Sequence, residues 1–155
     1  MIYFAFGSNM DPAQMQARCP SHKVLGRAVL PDHRLCFPRR SPIRGCGTAG
    51  LAPAEGSGVW GVLYELREEE LPRLHQAEGY APGRPAGDNR HHFLEIEVRL
   101  EAPDGEKVRA FIYRARPDQS GAAPSADYMK HLIEGAEHHA LPEPYIRLLR
   151  SVETD

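Results

Sequence analysis

A series of short strand-like runs, separated by proline and glycine, constrains the fold of this chain more than any other feature. The runs are 2–7, 23–30, 34–38, 48–52, 59–66, 93–101 and 107–113. The run at 59–66 is apolar nearly throughout, as in a buried strand, and 93–101 alternates apolar and charged side chains and pairs with 107–113 as a hairpin. Because so many strands in one small domain leave exposed edges unless the sheet closes, we expect a closed or nearly closed barrel of about six or seven strands.

Helix signals surround these strands, so the expected fold class is α+β. Asp11 is placed as the N-cap of a first helix, Pro12 as its first residue, and Gln14 where a side chain reaches back to the cap. Ser125 is the predicted N-cap of a helix over 126–138. A last helix has apolar residues at helical spacing: Tyr145, Leu148, Leu149 and Val152. With 155 residues, the chain is expected to form a single domain, 1–155.

Composition narrows the class of partner. The formal net charge of −2 gives no support to binding of nucleic acid or of an anionic membrane. No apolar segment approaches the ~20 residues of a membrane span, and the N-terminus does not have the pattern of a signal peptide. The three cysteines have no CxxC spacing, which favours reduced thiols. We therefore expect a cytoplasmic protein, monomeric or homodimeric, that acts on a small molecule.

The eight histidines raise the question of a metal site. They include two adjacent pairs, His91-His92 and His138-His139, and none has the H-x3-H or HExxH spacing that places two imidazoles on one helical face. We expect no metal site. The alternative is a metal held by His138, His139 and the cysteines, which elemental analysis of untagged protein would detect.

The first apolar run ends at Gly7-Ser8-Asn9, directly before the first helix. Glycine lets a ligand approach the backbone closely, and a helix start leaves N–H donors unpaired, so a ligand carboxylate is the expected guest. An ordinary strand-to-helix turn is the alternative. Three arginines beside Phe37 form either a solvated loop or a rim that steers an acidic substrate: Arg39, Arg40 and Arg44.

Glu78 is the candidate catalytic residue. In the helix predicted over 68–78, which Gly79 ends, Leu71 defines the inward face, and a residue seven positions later lies within about 20° of it. Burial and the C-terminal end of the helix dipole both disfavour the ionised form of a carboxylate, which suits a general base. The alternative is that Glu78 pairs with an arginine or caps the following loop. No serine or cysteine nucleophile is recognisable.

Six segments together resemble the gamma-glutamylcyclotransferase (AIG2-like) family. Residues 3–10 (YFAFGSNM) are similar to its Y-F-A-Y-G-S-N-L opening, 59–64 (VWGVLY) to its V-W-G-V strand, and 74–79 (LHQAEG) to its L-D-x-x-E-G. The remaining segments follow the family's order and spacing: 124–128 (PSADY), 135–136 (GA) and 141–145 (LPEPY). The joint match runs from residue 3 to about residue 150.

The resemblance implies a mixed β-barrel with flanking helices and a cofactor-free reaction that cyclises a γ-glutamyl compound to 5-oxoproline and releases the amine. It places the catalytic glutamate on Glu78 and the substrate-binding residues on Tyr3, Phe4, Ala5, Phe6, Gly7, Ser8, Asn9 and Tyr128. Two positions depart from the family: Phe6 replaces a tyrosine, and His75 replaces the aspartate of L-D-x-x-E-G. The tyrosine hydroxyl and the aspartate carboxylate of the family pattern are therefore missing at these two positions.

Two alternatives remain at this level. The enzyme could be specialised for a γ-glutamylamine or a γ-glutamylated biosynthetic intermediate, with the proline- and glycine-rich loop over 81–91 shaping the pocket of the leaving group. Alternatively, the chain could be a catalytically silent module that binds an acidic metabolite. Turnover of a panel of substrates distinguishes such a specialised enzyme from one that acts on γ-glutamyl amino acids in general. Binding of 5-oxoproline or glutamate without turnover would indicate the binding module.

Overall fold

The computed structural model describes residues 1–101, 105–118 and 121–155. Its strands are β1 (Ile2–Ala5), β2 (Lys23–Arg40), β3 (Gly47–Glu65), β4 (His91–Leu100) and β5 (Lys107–Ala115). Its helices are α1 (Pro12–Arg18), α2 (Leu71–Ala77), α3 (Ala126–His138) and α4 (Glu143–Arg150), with short 3-10 turns at Ser8–Met10, Glu68–Glu70 and Ala86–Asp88. Within these ranges, no helix is long and apolar enough to cross a membrane.

The strands close into a mixed barrel in the order β1-β3-β2-β4-β5. Four neighbouring pairs are antiparallel, and the barrel closes where β1 meets β5 in parallel, with Tyr3 opposite Phe111. Side chains such as Phe4, Leu63 and Val98 fill the core, each at most 1% exposed. The expected α+β barrel with flanking helices is confirmed, but the described residues contain five strands instead of six or seven.

The strand count is lower because β2 and β3 continue through residues that the sequence analysis interpreted as breaks. Runs 23–30 and 34–38 are one strand, and so are 48–52 and 59–66. Asp32 (φ 61°) and Gly56 (φ 81°) form an irregularity, where Asp32 Oδ1 accepts a hydrogen bond of 3.0 Å from the Gly56 N–H. The β2–β3 register resumes on both sides of it, so this bulge bends the ribbon without ending it.

The helix predictions are largely confirmed. Ser125 Oγ accepts from the Tyr128 N–H at 3.0 Å and caps α3 over the predicted residues. The last helix buries Ile146 together with Tyr145 and Leu149, whereas Leu148 is 51% exposed. The predicted apolar face of α4 is therefore wrong at Leu148, because the helix is rotated so that Ile146 enters the core.

Asp11 links α1 to α3. Its Oδ1 accepts from the Ala13 N–H at 3.0 Å, as predicted for an N-cap, and its Oδ2 is 2.5 Å from His131 Nδ1 on α3. Burial raises the pKa of Asp11, but the hydrogen bonds from His131 and Ala13 outweigh burial and hold the pKa below its usual value. The ionised carboxylate therefore stabilises the contact between the two helices.

We expect Asp11→Ala to lower the free energy of unfolding by about 1–2 kcal/mol at pH 7, since it removes the cap and the partner of His131. Because the folded-state pKa is depressed, this contribution is fully present above the unfolded pKa of about 3.9 and is lost as the pH falls through the folded value. Urea unfolding of wild type and variant at pH 7 and pH 3 measures both effects. Asp11→Asn, which keeps a cap acceptor, is the control. Equal stability of Asp11→Ala and wild type at pH 7 would contradict the prediction.

Candidate active site

A cavity lies beside the turn that follows β1 and extends to the end of α2. Its described lining residues contain one carboxylate and four arginines. The cavity is therefore cationic although the chain carries a net negative charge, and it suits an acidic ligand. It is lined by Tyr3, Phe6, Gly7, Ser8, Asn9, Arg18, Arg39, Ser41, Arg44, Thr48, Ala49, Ala77, Glu78, Arg90, His91, Tyr113 and Tyr128.

Seven of the nine predicted site residues line this cavity: Tyr3, Phe6, Gly7, Ser8, Asn9, Glu78 and Tyr128. Phe4 and Ala5 do not. They are 0% and 1% exposed and belong to the core, because β1 is covered on both faces inside the fold. Phe4 packs beside Gly61 of β3, where a Cβ would lie within 2.8 Å of its ring.

Asn9 connects the N-terminal turn to Glu78. Its Nδ2 donates to Glu78 Oε1 and to the Tyr3 hydroxyl, both at 2.9 Å. Its Oδ1 accepts from Gln14 Nε2 at 2.8 Å and from Arg18 Nη1 at 2.7 Å. Because an arginine only donates, the atom that faces Arg18 must be the amide oxygen, which fixes the amide nitrogen on Glu78.

The two oxygens of Glu78 lie in different surroundings. Oε1 accepts from Asn9 and lies 3.5 Å from Arg18 Nη1, so it is held by a donor and a cation. Oε2 is 3.8 Å from His91 Nε2. The side chain is 17% exposed and points into the cavity, as its spacing from Leu71 predicts. The alternative of an arginine partner for Glu78 is thus realised by Arg18, although the sequence names neither Arg18 nor Asn9 as the partner. Both contacts fall on Oε1 and leave Oε2 as the oxygen open to a ligand.

His91 holds Glu78 from the opposite side. Its Nδ1 is 2.6 Å from the backbone oxygen of Glu78, and since a carbonyl only accepts, Nδ1 carries the hydrogen. Burial lowers the pKa of His91 below its usual value. The nearby Glu78 carboxylate acts in the opposite direction, but the effect of burial is larger. A neutral ring with the hydrogen on Nδ1 presents a lone pair on Nε2 toward Glu78 Oε2.

Arg44 and Gln14 support the Ser8 end of the cavity. Gln14 does not reach back to the helix cap as predicted; its Nε2 donates to Ser8 Oγ at 2.7 Å and to Asn9. Arg44 donates to Gln14 Oε1 at 2.7 Å and lies over the Tyr128 ring, 5.1 Å from its centroid. Of the two interpretations of the arginine cluster, the rim for an acidic ligand therefore fits Arg44.

Arg39 also lines the cavity, whereas Arg40 does not. Arg39 Nη1 donates to the backbone oxygens of Arg90 at 3.1 Å and of Arg116 at 3.3 Å. Its Nε lies 3.5 Å from Asp118 Oδ2. Arg39 therefore braces the segment that carries Arg90 and His91.

Sequence does not identify several of the lining residues, among them Arg18, Arg90 and His91, which carry a guanidinium or an imidazole. A signal exists for Arg18, because Gln14 and Arg18 are four residues apart on the helix that follows Gly7-Ser8-Asn9 and so share one face. For Arg90 and His91 there is none, since the loop that precedes them sets their position.

The tyrosine hydroxyls near Glu78, and the thiol of Cys19 after α1, remain protonated. Burial raises the pKa of Tyr3 and of Tyr113, and the Glu78 carboxylate raises both further. Burial also raises the pKa of Tyr128, whose hydroxyl accepts from the Ala49 N–H at 2.8 Å. The pKa of Cys19 is raised by burial to about 12, so this thiol is a poor nucleophile.

The two departures from the family pattern occupy different environments. Phe6 is 5% exposed and lines the cavity, while His75 is absent from the lining. The His75 ring packs edge-on against Tyr80 and Phe93, and its Nδ1 is hydrogen-bonded to the Tyr113 hydroxyl at 2.7 Å. His75 is therefore connected to the cavity through Tyr113, which lines it. Among the described residues, no group of three or more His, Cys, Asp or Glu side chains could hold a metal.

Comparison with known proteins adds to this geometry. Residues 58–149 match the model of the AIG2-like family. The chain is 29% identical over 156 residues to the gamma-glutamylcyclotransferases of Bos taurus and Homo sapiens, covering 98% of this chain and 78% of each relative. A solved structure of a gamma-glutamyl cyclotransferase superposes with a TM-score of 0.88 at 26% identity, covering 100% of this chain and 89% of that one.

Proposed function

The chain belongs to the AIG2-like family, and from that premise we propose that it is a gamma-glutamylcyclotransferase with Glu78 as its general acid and base. The relatives named above carry this activity in their names. The observation that carries the proposal is the Glu78 carboxylate, which has one oxygen held by Asn9 and Arg18 and the other directed into a cationic cavity. That arrangement suits a proton shuttle beside an acidic substrate.

The reaction needs no nucleophile from the protein. The α-amine of the γ-glutamyl compound attacks its own γ-carbonyl, a carbon–nitrogen bond closes the five-membered ring, and the amide bond to the departing amine breaks. One proton moves from the attacking to the departing nitrogen. Glu78 Oε2 takes this proton and returns it, while Oε1 stays on Asn9.

The remaining residues hold the substrate in the shape that cyclises. The Gly7-Ser8 backbone, with Arg44 beside it, offers donors and positive charge to the α-carboxylate of the glutamyl group. A bent γ-glutamyl chain places amine and carbonyl in contact, and such intramolecular closure is strongly accelerated when the geometry is fixed.

The proposal is tested by measuring 5-oxoproline released from a panel of γ-glutamyl amino acids and γ-glutamylamines. Release from at least one class of substrate, with stoichiometric appearance of the amine, is the expected result. Binding of 5-oxoproline or glutamate to a folded protein that releases nothing across the panel would replace the enzyme with a binding module.

His91 gives a prediction of its own. Once Oε2 of Glu78 carries the proton, the Nε2 lone pair of neutral His91 can accept its hydrogen bond, so we expect His91→Leu to lower kcat by about tenfold with a smaller change in KM. His91→Asn, which can still donate to the Glu78 carbonyl, is the matched variant and should lose less.

The pH profile provides a second readout for His91. A protonated ring would pair with the carboxylate and hold it in the ionised form, and since burial lowers the pKa of His91, activity should fall only below about pH 6.5. An acidic limb that does not move in either variant, together with unchanged kcat, would remove His91 from the mechanism.

A further inference from the structure

The four arginines of the cavity differ in how far the protein already uses them. Arg18 donates to Asn9 and lies beside Glu78, Arg44 donates to Gln14, and Arg39 donates to two backbone oxygens. The guanidinium of Arg90 makes no hydrogen bond and no ion pair anywhere in residues 1–101, 105–118 and 121–155. Arg90 therefore has its full set of donors available for a ligand.

The backbone of Arg90 is fixed although its guanidinium is free. Its N–H donates to the Gly79 oxygen at 2.9 Å, and its own oxygen accepts from the Arg116 N–H at 3.1 Å. The side chain lies directly against Gly79, where a Cβ would be 2.7 Å from Arg90 Cζ. Gly79 has φ 66° and follows Glu78, so the bare backbone at this position lets the guanidinium pack against the residue next to the proton shuttle, and Arg90 and Glu78 line the same cavity.

The position of Arg90 matches one atom group of the substrate. Glu78 must reach the departing nitrogen to protonate it, and in a γ-glutamyl amino acid the carboxylate of the departing group is two bonds away from that nitrogen. A group that recognises this carboxylate must therefore stand next to Glu78, on the side not occupied by Asn9 and Arg18. Arg44, in contact with Ser8, lies at the end assigned to the glutamyl carboxylate.

Resting on the proposed function, we infer that Arg90 binds the carboxylate of the departing amino acid and so selects γ-glutamyl amino acids over γ-glutamylamines. A guanidinium with no competing partner matches a carboxylate in bidentate geometry. Amines that carry no carboxylate gain nothing from it.

The test uses two substrates that differ only in that carboxylate: γ-glutamylalanine and γ-glutamylethylamide. Wild type should prefer the first in kcat/KM, and Arg90→Gln should reduce this preference by about 10- to 100-fold, the range expected for a lost hydrogen bond to a charged group. Arg90→Lys, which keeps the charge without the fork, should retain part of it. Arg84→Gln removes a charge from the same loop, on an exposed residue outside the cavity lining, and should leave the preference as in wild type.

The outcomes separate this inference from the proposed function. A folded wild type that releases 5-oxoproline from neither substrate, nor from the wider panel, overturns the proposed function and the inference with it. Release from both substrates without preference, or an equal loss on both in Arg90→Gln, overturns the inference alone. An equal loss would assign Arg90 to the glutamyl portion that both substrates share.

Discussion

Glu78→Gln is expected to lower kcat for 5-oxoproline release by about 10²- to 10⁴-fold, the range that general acid–base catalysis contributes. Glutamine keeps an oxygen that can accept from Asn9 and Arg18, so the side chain should stay in place. It replaces Oε2 with an amide nitrogen, which cannot take a proton from the attacking amine. Substrate binding should change little, because the lost function is proton transfer.

The matched control is Glu69→Gln, which makes the same chemical change on an exposed glutamate of the 3-10 turn before α2. It should retain wild-type turnover. Thermal unfolding of both variants verifies that the fold is intact. Full turnover by folded Glu78→Gln would mean that another group carries the proton, and the mechanism proposed for Glu78 would be wrong.

The second large effect is expected from Gly135→Ala. A Cβ at Gly135 of α3 would lie 2.5 Å from the Met10 carbonyl carbon and 2.7 Å from its oxygen, and backbone atoms cannot yield as a flexible side chain can. Alanine inside a helix is normally about 1 kcal/mol more stabilising than glycine, so a loss of stability in Gly135→Ala would be evidence for the close contact with Met10. We expect a loss of about 2 kcal/mol or more in the free energy of unfolding, since overpacking forces α3 away from the turn.

Gly135→Ala should also lower 5-oxoproline release, because Met10 directly follows Asn9 and any shift of this turn moves the amide that holds Glu78. Gly121→Ala is the control: nothing lies within 4 Å of a Cβ at that position. Urea unfolding that shows Gly135→Ala as stable as wild type would refute the close approach of α3 to Met10.

The parts of the fold that sequence predicts are those encoded by neighbouring residues. The Asp11 cap, the Ser125 cap and the inward direction of Glu78 each follow from spacings of a few residues, and the structure has them as expected. Sequence predicts strand ends where the bulge at Asp32 and Gly56 lies, because proline and glycine mark both turns and bulges. Only pairing with the opposite strand distinguishes the two.

The site is less predictable for a related reason. The contact between Asn9 and Glu78 joins residues 69 positions apart, and nothing local to either specifies the other. His91 and Arg90 enter through the 81–91 loop, whose path has no periodic pattern. Spacing along the chain singles out Glu78 and the Gly7-Ser8-Asn9 turn, both of which line the cavity, whereas the resemblance to the family adds Phe4 and Ala5, which the barrel buries.

The continuity of β2 and β3 bears on the order in which the site forms. These strands are adjacent along the chain and contribute Arg39, Thr48 and Ala49 to the cavity wall. Because only a short loop has to close for the two strands to pair, this wall can form early in folding. Tyr3 pairs with Phe111 across more than a hundred residues, so we expect the parallel β1–β5 contact to close late.

In pulse-labelled hydrogen exchange, we expect the amides of β2 and β3 to become protected first and those of β1 last. Equal protection times would contradict this. In that order, the wall of the cavity stands before the N-terminal turn brings Asn9 to Glu78 and orients its carboxylate.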